Sequence, residues 1–261
     1  MIFKVRNNLK GKTAREILLS LGIGKPRIYE LFLNRTVLVN GNIVKDNIVL
    51  KENDTFEILE TENKTKYDNS IWENDYLVAL HKPKNILTHT DGKEKGFLEI
   101  QKNHENLYVV QRLDKETSGI IVFSKSKYYA IYLDKLFRER LVTKEYLAEV
   151  KTFKEEKAII KNALRYDKHD KKTRVYPESG PFITSVKKIK KANEVTTLKV
   201  ILNSGMTHQI RAHLSYIGSP IIGDIKYGGR PSETLRLEAT SIKFFDIVTN
   251  KEIEIKLKEE K

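Results

Sequence analysis

The stretch "VVQRLDKETSGIIVF", residues Val109–Phe123, places four charged side chains between two apolar runs. The runs Tyr108–Val110 and Gly119–Phe123 are bounded by polar residues or glycine, which predicts two buried strands. A tight turn between strands needs a glycine and one or two polar groups, and this connection carries far more charge than that. Its charged residues are Arg112, Asp114, Lys115 and Glu116. The pattern predicts a sheet with a functional site at the entry to its second strand.

The length and composition of the chain limit the classes of protein to which it can belong. A chain of 261 residues is long enough for one large domain or two unequal ones, and 39% apolar residues can form a core. The absence of cysteine excludes disulfides, thiolate zinc sites and cysteine nucleophiles. No apolar run is long enough to span a bilayer, and the basic N-terminus is not followed by a secretory apolar segment. These features predict a soluble cytoplasmic protein without a membrane contact, and a monomer by default.

The charge balance favours a polyanionic partner. The chain has 48 Lys and Arg against 35 Asp and Glu, a formal net charge of +13. Ten basic and three acidic residues lie in Lys161–Lys191, with Tyr166, Tyr176 and Phe182 among them. Phosphate contacts and base stacking make such a segment a candidate RNA-binding surface. Net charge alone leaves DNA, an acidic membrane surface and an ordinary solvated lysine surface as alternatives.

The first sixty residues predict a compact unit of two helices and a small sheet. Thr13 and Glu16 have capping-box spacing, and that helix is expected to end at Gly22. Pro26 suits the first turn of a second helix, and Asn40-Gly41 predicts a hairpin within "TVLVNGNIV". A further strand is expected at 55–59. Over residues 12–60 this order resembles the S-four RNA-binding domain. The resemblance implies four basic RNA contacts: Arg15, Lys25, Arg27 and Arg35. The alternative interpretation of each is an ordinary cation on the protein surface.

The remainder predicts a second, larger domain after a polar linker at 61–70. Strand-like runs outnumber helices in residues 71–261, so we expect an α+β domain on a mainly antiparallel central sheet. The expected strands are 76–80, 108–110, 119–123, 146–150, 196–202 and 242–245. The expected helices are 127–137 and 207–217.

The second of these helices carries an unfavourable charge pattern. With Thr207 as its cap, His208 and Arg211 would lie on one face in the first turn, where the helix dipole disfavours cations. A nearby anion would relieve this, and Asp114 is the candidate carboxylate. The alternative interpretation is an ordinary salt bridge that ties two elements together.

Other catalytic templates are absent from the sequence. It contains no phosphate-binding glycine loop, no serine nucleophile elbow and no His-Glu-x-x-His metal motif. Asp224 follows Gly223 and is expected to be a turn residue. The site is therefore expected to hold a single ionised carboxylate with a basic partner and a tyrosine, without metal or organic cofactor. An Asp can form and release a covalent intermediate, and Tyr146, in Lys144-x-Tyr146, can stack on an extruded base.

Two segments together resemble a known family. "QRLDKETSG" is similar to the catalytic segment of pseudouridine synthases, and "THQIRAHLSYIGSPIIGDIKYG" is typical of the RluA type. The resemblance covers most of residues 71–245 and implies a curved antiparallel sheet, an RNA substrate, base flipping and no metal or cofactor. It implies that Asp114 is the nucleophile, attacking either the uracil ring or the ribose anomeric carbon. Tyr146 would stack on the base and Arg211 would pair with Asp114.

The resemblance also implies RNA contacts, and it has three departures. Arg112 would occupy the place of the flipped nucleotide, and His208 would lie at the RNA. Gln111 stands where the family usually has His, and Met206 stands where it usually has Arg. The sequence "LRLEA" at 235–239 replaces the more usual Leu-His-Ala, and all three departures lie beside the predicted catalytic residues. The sequence therefore predicts a uridine isomerase acting on ribosomal RNA, with transfer RNA as the alternative substrate. A non-catalytic RNA-binding or ribosome-assembly factor and a metal-dependent nuclease are the alternative functions.

Overall fold

The computed structural model describes residues 1–60, 67, 70–101 and 104–258. The first sixty residues form a four-stranded sheet, ordered β1-β4-β2-β3, with two helices packed on it. Its elements are β1 (Ile2–Lys4), α1 (Ala14–Ser20), α2 (Lys25–Leu33), β2 (Val37–Val39), β3 (Asn42–Ile43) and β4 (Thr55–Ile58). Thr13 and Glu16 form the predicted capping box. Asn40 and Gly41 make the predicted turn, both with positive φ.

The rest of the described chain forms an eleven-stranded sheet in the order β11-β10-β12-β13-β9-β14-β8-β6-β5, with β7 and β15 at its side. Its pairs are antiparallel except β14 with β8, which confirms the predicted α+β class. The strands are β5 (Ser70–Glu73), β6 (Leu77–Lys82), β7 (Tyr108–Val109), β8 (Ser118–Ser124), β9 (Thr143–Val150), β10 (Lys157–Asp167), β11 (Lys172–Tyr176), β12 (Phe182–Ala192), β13 (Val195–Leu202), β14 (Leu237–Asp246) and β15 (Lys251–Lys256). The helices are α3 (Lys127–Arg138) and α4 (Gln209–Tyr216).

The described chain has two apolar cores, and only one of them lies next to the predicted catalytic residues. One core lies under α3 and continues into the N-terminal unit, so the two sheets share it. The other lies under α4 and contains Tyr146 and Leu113, the neighbour of Asp114. The predicted catalytic segments therefore meet around the second core.

The N-terminal unit is attached to α3 by polar contacts as well. Arg27 donates from Nη2 to the hydroxyl of Tyr128 at 2.7 Å, and the backbone N–H of Tyr128 donates to Glu60 at 3.3 Å. Gly22 packs against Lys135, since a Cβ added there would lie 3.1 Å from the lysine Cβ. The predicted linker, 61–70, lies mainly outside the described residues, apart from buried Tyr67 and from Ser70, which starts β5.

Some sequence predictions need correction. The run 108–110 was expected to be a buried strand, but Tyr108 and Val109 are exposed because β7 pairs only with the end of β8. The helix expected at 207–217 begins at Gln209, and His208 is its N-cap in a left-handed conformation with φ 57°. Five strands were not predicted in the second domain: the short β5, and the four strands β10, β11, β12 and β15. The last four share a cause. Their solvent faces carry many lysines, which hide the apolar alternation of the other face.

Gly119, five residues after Asp114, permits the one parallel pairing among the described strands. It has φ +114°, and an added Cβ would lie 2.2 Å from the carbonyl oxygen of Ala239 on β14. We expect Gly119→Ala to lower the free energy of unfolding by about 2–5 kcal/mol. This loss is the sum of two costs: the strain of a positive φ in alanine and the clash of its methyl group with the backbone of β14.

The matched control is Gly92→Ala, since Gly92 also has positive φ but nothing within 4 Å of an added Cβ. This control should cost only about 1–2 kcal/mol. Urea titrations of both variants measure the difference. Equal losses would mean that the β8–β14 contact adjusts to the methyl group.

Candidate active site

Hydrogen bonds fix the backbone on both sides of Asp114. It lies in the loop that leads into β8, with its side chain 22% exposed. The preceding residue, Leu113, exchanges backbone hydrogen bonds with the hydroxyl of buried Thr88, both at 3.1 Å. The N–H of Thr117 donates to the carbonyl of Asp114 at 3.1 Å and closes the turn. The carboxylate is thus presented to solvent from a fixed backbone.

Lys82 supports this loop from inside the protein. It is fully buried at the end of β6, and its ammonium donates to the carbonyls of Pro83, Ile86 and Lys115 at 2.9, 2.8 and 3.2 Å. Burial lowers the pKa of Lys82 to about 8, although the charges of Asp114 and Glu116 oppose the shift. The sequence does not predict a role for this lysine. Its one signal was a lysine that ends an apolar strand directly before a proline.

Arg211 is the basic centre of the site and is surrounded by three carboxylates. Its side chain is 3% exposed and forms a two-pronged pair with Asp224, with Nε–Oδ2 and Nη2–Oδ1 both at 2.8 Å. Nη1 donates to Glu116 at 2.7 Å and lies 3.7 Å from Oδ2 of Asp114. Burial opposes the charge, but the three acidic neighbours outweigh it and raise the pKa of Arg211.

Two expectations about the carboxylates were therefore wrong. Asp224 does accept turn hydrogen bonds on its backbone, but its side chain is completely buried against Arg211. The site holds three carboxylates instead of one. The guanidinium was expected to pair first with Asp114, yet it is fixed by Asp224 and Glu116 and reaches Asp114 only at longer distance. Arg211 is consequently positioned independently of Asp114.

Tyr146 lies on the buried face of β9, opposite Val200 of β13 and Ala239 of β14. Burial raises the pKa of its hydroxyl, and the nearby charge of Asp114 raises it further, so the phenol is neutral at ordinary pH. Two residues earlier, Lys144 is buried and donates to the carbonyl of Ser204, in the loop before α4. Burial lowers the pKa of Lys144 to about 8. The Lys144-x-Tyr146 pair thus joins β9 to both the loop and the cleft.

His208 and Tyr227 complete the cleft. His208 Nε2 lies 3.9 Å from Oδ2 of Asp114, and Nδ1 lies 3.1 Å from the hydroxyl of Tyr227. The carbon of the Arg211 guanidinium lies 5.4 Å from the centre of the Tyr227 ring, within cation–π range. Burial raises the pKa of Tyr227 to about 12. Tyr227 was inside a quoted motif but was given no role, because no local spacing connects it with His208.

The structure brings four predicted residues together and leaves the others apart. His208 and Arg211 each lie within 4 Å of the Asp114 carboxylate, the charge of Asp114 acts on the Tyr146 hydroxyl, and Arg112 is exposed two residues before Asp114. The four remaining candidates lie in the N-terminal unit: Arg15, Lys25, Arg27 and Arg35. Arg15 pairs with Asp46, and Arg27 contacts Glu30 and Tyr128. Lys25 and Arg35 are exposed.

The chemistry available here is that of a carboxylate placed beside a buried guanidinium and an aromatic ring. Across 1–60, 67, 70–101 and 104–258, no group of three His, Asp or Glu side chains is arranged to hold a metal ion. In the same ranges no helix is long and apolar enough to cross a membrane. A positioned carboxylate beside a buried guanidinium and an aromatic ring, in a chain with a formal net charge of +13, fits an enzyme that acts on a polyanion.

Comparisons with known proteins identify the family. Residues 76–216 match the family model described as RNA pseudouridylate synthase. An uncharacterised RNA pseudouridine synthase of Helicobacter pylori (strain J99 / ATCC 700824) is 32% identical, over 79% of this chain and 83% of the relative. The chain belongs to the RNA pseudouridylate synthase family, which confirms the RluA-type assignment of its catalytic domain, and it is an RNA pseudouridine synthase, an isomerase.

Two further likenesses agree with this assignment. The ribosomal large subunit pseudouridine synthase C of Vibrio vulnificus (strain CMCP6) is 30% identical, over 89% of this chain and 84% of that protein. The solved structure of human RNA Pseudouridylate Synthase Domain Containing 1 has a TM-score of 0.61 at 19% identity. It covers 77% of this chain and 86% of its own, and supports the fold alone.

Proposed function

We propose that this enzyme isomerises uridines of large-subunit ribosomal RNA with Asp114 as its nucleophile. The observation that carries the proposal is the Asp114 carboxylate, fixed by its backbone and placed 3.7 Å from a guanidinium that other carboxylates already hold. In the reaction the N1–C1′ bond breaks and a C5–C1′ bond forms. C5 loses a proton and N1 gains one, so no electrons are exchanged with an external reagent.

The proposed roles follow from position. Asp114 attacks the uracil ring or the ribose anomeric carbon, and both attacks are compatible with a carboxylate at the mouth of the cleft. Tyr146 stacks on the flipped base beside it. Arg112, exposed at the rim, fills the place that the base leaves in the RNA or binds a phosphate. We propose that the enzyme acts as a cytoplasmic monomer, as the sequence predicts.

The preference for ribosomal RNA rests on the relatives and on the N-terminal unit. Several similar proteins are named ribosomal large subunit pseudouridine synthase C, among them those of Vibrio vulnificus and Vibrio cholerae. We assign residues 1–60 as an S-four-like RNA-binding domain, 61–70 as a linker and 71–261 as the catalytic domain. The helix–helix–hairpin order of the first unit supports this division.

Tritium at C5 of uridine provides the test. Because the new glycosidic bond forms at C5, each turnover releases tritium to water. Purified enzyme is incubated with labelled ribosomal and transfer RNA, with and without a chelator. Release from ribosomal RNA, unaffected by chelator, is expected. Release from transfer RNA alone would replace the proposed substrate, and binding without release would favour the assembly factor. Activity lost to the chelator would favour metal chemistry.

Lys25 and Arg35 test the RNA-binding role of the N-terminal unit. Both are exposed: Lys25 is the first residue of α2, and Arg35 lies two residues after its last residue. We expect Lys25→Gln with Arg35→Gln to weaken binding of ribosomal RNA by about tenfold and to reduce the salt dependence of binding by about one unit per contact.

The matched control removes two exposed charges elsewhere, Lys154→Gln and Lys251→Gln. It should change affinity by less than about twofold if the effect is local rather than one of net charge. Filter binding across a salt series compares the two double variants. An equal loss in both would remove support for a dedicated surface on α2.

A further inference from the structure

His208 occupies an unusual backbone position between the proposed nucleophile and a buried tyrosine. Its φ of 57° lies in the left-handed region, which is uncommon for residues other than glycine and which nine non-glycine residues adopt in the described ranges. The preceding carbonyl, that of Thr207, accepts a hydrogen bond from the Thr173 hydroxyl on β11 at 2.6 Å. A conformation held in this way at a cleft indicates that the direction of the imidazole ring matters.

The hydrogen bonds around Tyr227 favour one of the two neutral tautomers of the His208 ring. The backbone N–H of Thr173 can only donate, and it lies 2.6 Å from the hydroxyl oxygen of Tyr227. The hydroxyl proton is then free to be donated to Nδ1 of His208, 3.1 Å away. A neutral imidazole that accepts at Nδ1 carries its proton on Nε2. That nitrogen faces Oδ2 of Asp114 at 3.9 Å.

The surroundings favour the neutral ring. Burial lowers the pKa of His208, and the positive charges of Arg211 on α4 and Lys226 in the following turn act in the same direction. Asp114 and Glu116 oppose them from the loop before β8. Tyr166 of β10 meets the imidazole ring edge-on, and Lys172 of β11 lies over the neighbouring Tyr227 ring. His208 is therefore an uncharged donor at neutral pH.

We propose that His208 is a positioning residue, fixed by Tyr227 as the Nε2–H tautomer, which donates a hydrogen bond to Asp114 when uridine fills the cleft. The separation of 3.9 Å is beyond hydrogen-bond range, and catalytic hydrogen bonds commonly shorten when substrate binds. The bond would select one orientation of the carboxylate for attack. This inference rests on the proposed nucleophilic role of Asp114.

A double-mutant cycle between Tyr227→Phe and His208→Gln tests the inference. The amide of glutamine has an N–H donor at the reach of Nε2 and has no tautomers, so it does not need Tyr227. We expect His208→Gln to retain single-turnover tritium release within about fivefold, and Tyr227→Phe alone to lose about tenfold. In the His208→Gln background, Tyr227→Phe should cost less than about twofold.

The reference variant is His208→Asn, because Asn tolerates the left-handed conformation but its shorter amide cannot reach Asp114. It should fold, bind RNA normally and lose about a hundredfold in rate. Melting temperature and RNA affinity of each variant separate loss of folding from loss of catalysis. A Tyr227→Phe effect of equal size in both backgrounds would mean that Tyr227 is merely structural, and the inference would be overturned.

The pH profile gives a readout that packing does not affect. When His208 gains a proton, Nδ1 no longer accepts from Tyr227 and the imidazolium ion-pairs with Asp114, so the rate should fall on the acid side. This fall should lie below the ordinary imidazole pKa of about 6.5 but above the range near about 4 in which carboxylic acids are protonated, and it should be absent in His208→Gln. A fall within that window that persists in His208→Gln contradicts the inference. If instead Asp114→Asn still releases tritium at the native rate, the proposed nucleophilic role of Asp114 fails, whatever the cycle shows.

Discussion

Asp114→Asn is expected to abolish tritium release, by about 10⁴-fold or more, while RNA affinity stays within about threefold of the native enzyme. The amide has the shape of the carboxylate but cannot form and release an ester with the substrate. The hydrogen bonds that hold this loop use Leu113, Thr117 and the carbonyl of Asp114, so they survive the substitution. Single-turnover release with saturating enzyme measures the loss without interference from product dissociation.

Glu116→Gln is the matched control for charge. Glu116 also contacts Arg211, at 2.7 Å, and its loss removes one negative charge from the same cluster. It should lower the rate by about tenfold or less, since Asp224 still fixes the guanidinium by two hydrogen bonds. If both variants lost activity equally, the cluster would act through its electrostatic field and Asp114 would have no special role. If Asp114→Asn kept its rate, another group would be the nucleophile.

The sequence predicts correctly those parts of the fold whose hydrogen bonds close within a few residues. Thr13 with Glu16 and Asn40 with Gly41 each describe a structure closed within four residues, and both predictions are confirmed. The strand at 119–123 was equally readable because both of its faces are buried. β12 was not, because lysines on its open face interrupt the apolar alternation.

The active site divides in the same way. Asp114, Tyr146 and Arg211 were selected by charge placement and by resemblance, and the structure brings them into one cluster. The support around them depends on contacts between distant segments, such as Lys82 with the carbonyl of Lys115. Asp224 was misread since a Gly-Asp turn explains its backbone completely, and only the fold shows what its side chain meets. Long-range pairing of buried charges has no sequence period that could reveal it.

Asp224→Asn is expected to have the largest effect on stability. Both partners of the Arg211–Asp224 pair are buried, so the substitution leaves a guanidinium with less compensation inside the protein. We expect a loss of about 3–5 kcal/mol in the free energy of unfolding, which for a chain of this size lowers the melting temperature by roughly 10 °C. The rate should also fall, because Arg211 would be drawn onto Asp114 and hold the carboxylate away from the substrate.

The half-exposed pair Arg15–Asp46 is the control for this experiment, since it has a similar two-nitrogen contact outside the core. Asp46→Asn should cost less than about 1 kcal/mol, because water screens and replaces the interaction. The double variant Arg211→Met with Asp224→Leu should recover much of the lost stability without recovering activity. Thermal unfolding and tritium release on the same samples distinguish the two roles. Recovery of activity in the double variant would show that the Arg211–Asp224 pair is needed for folding alone.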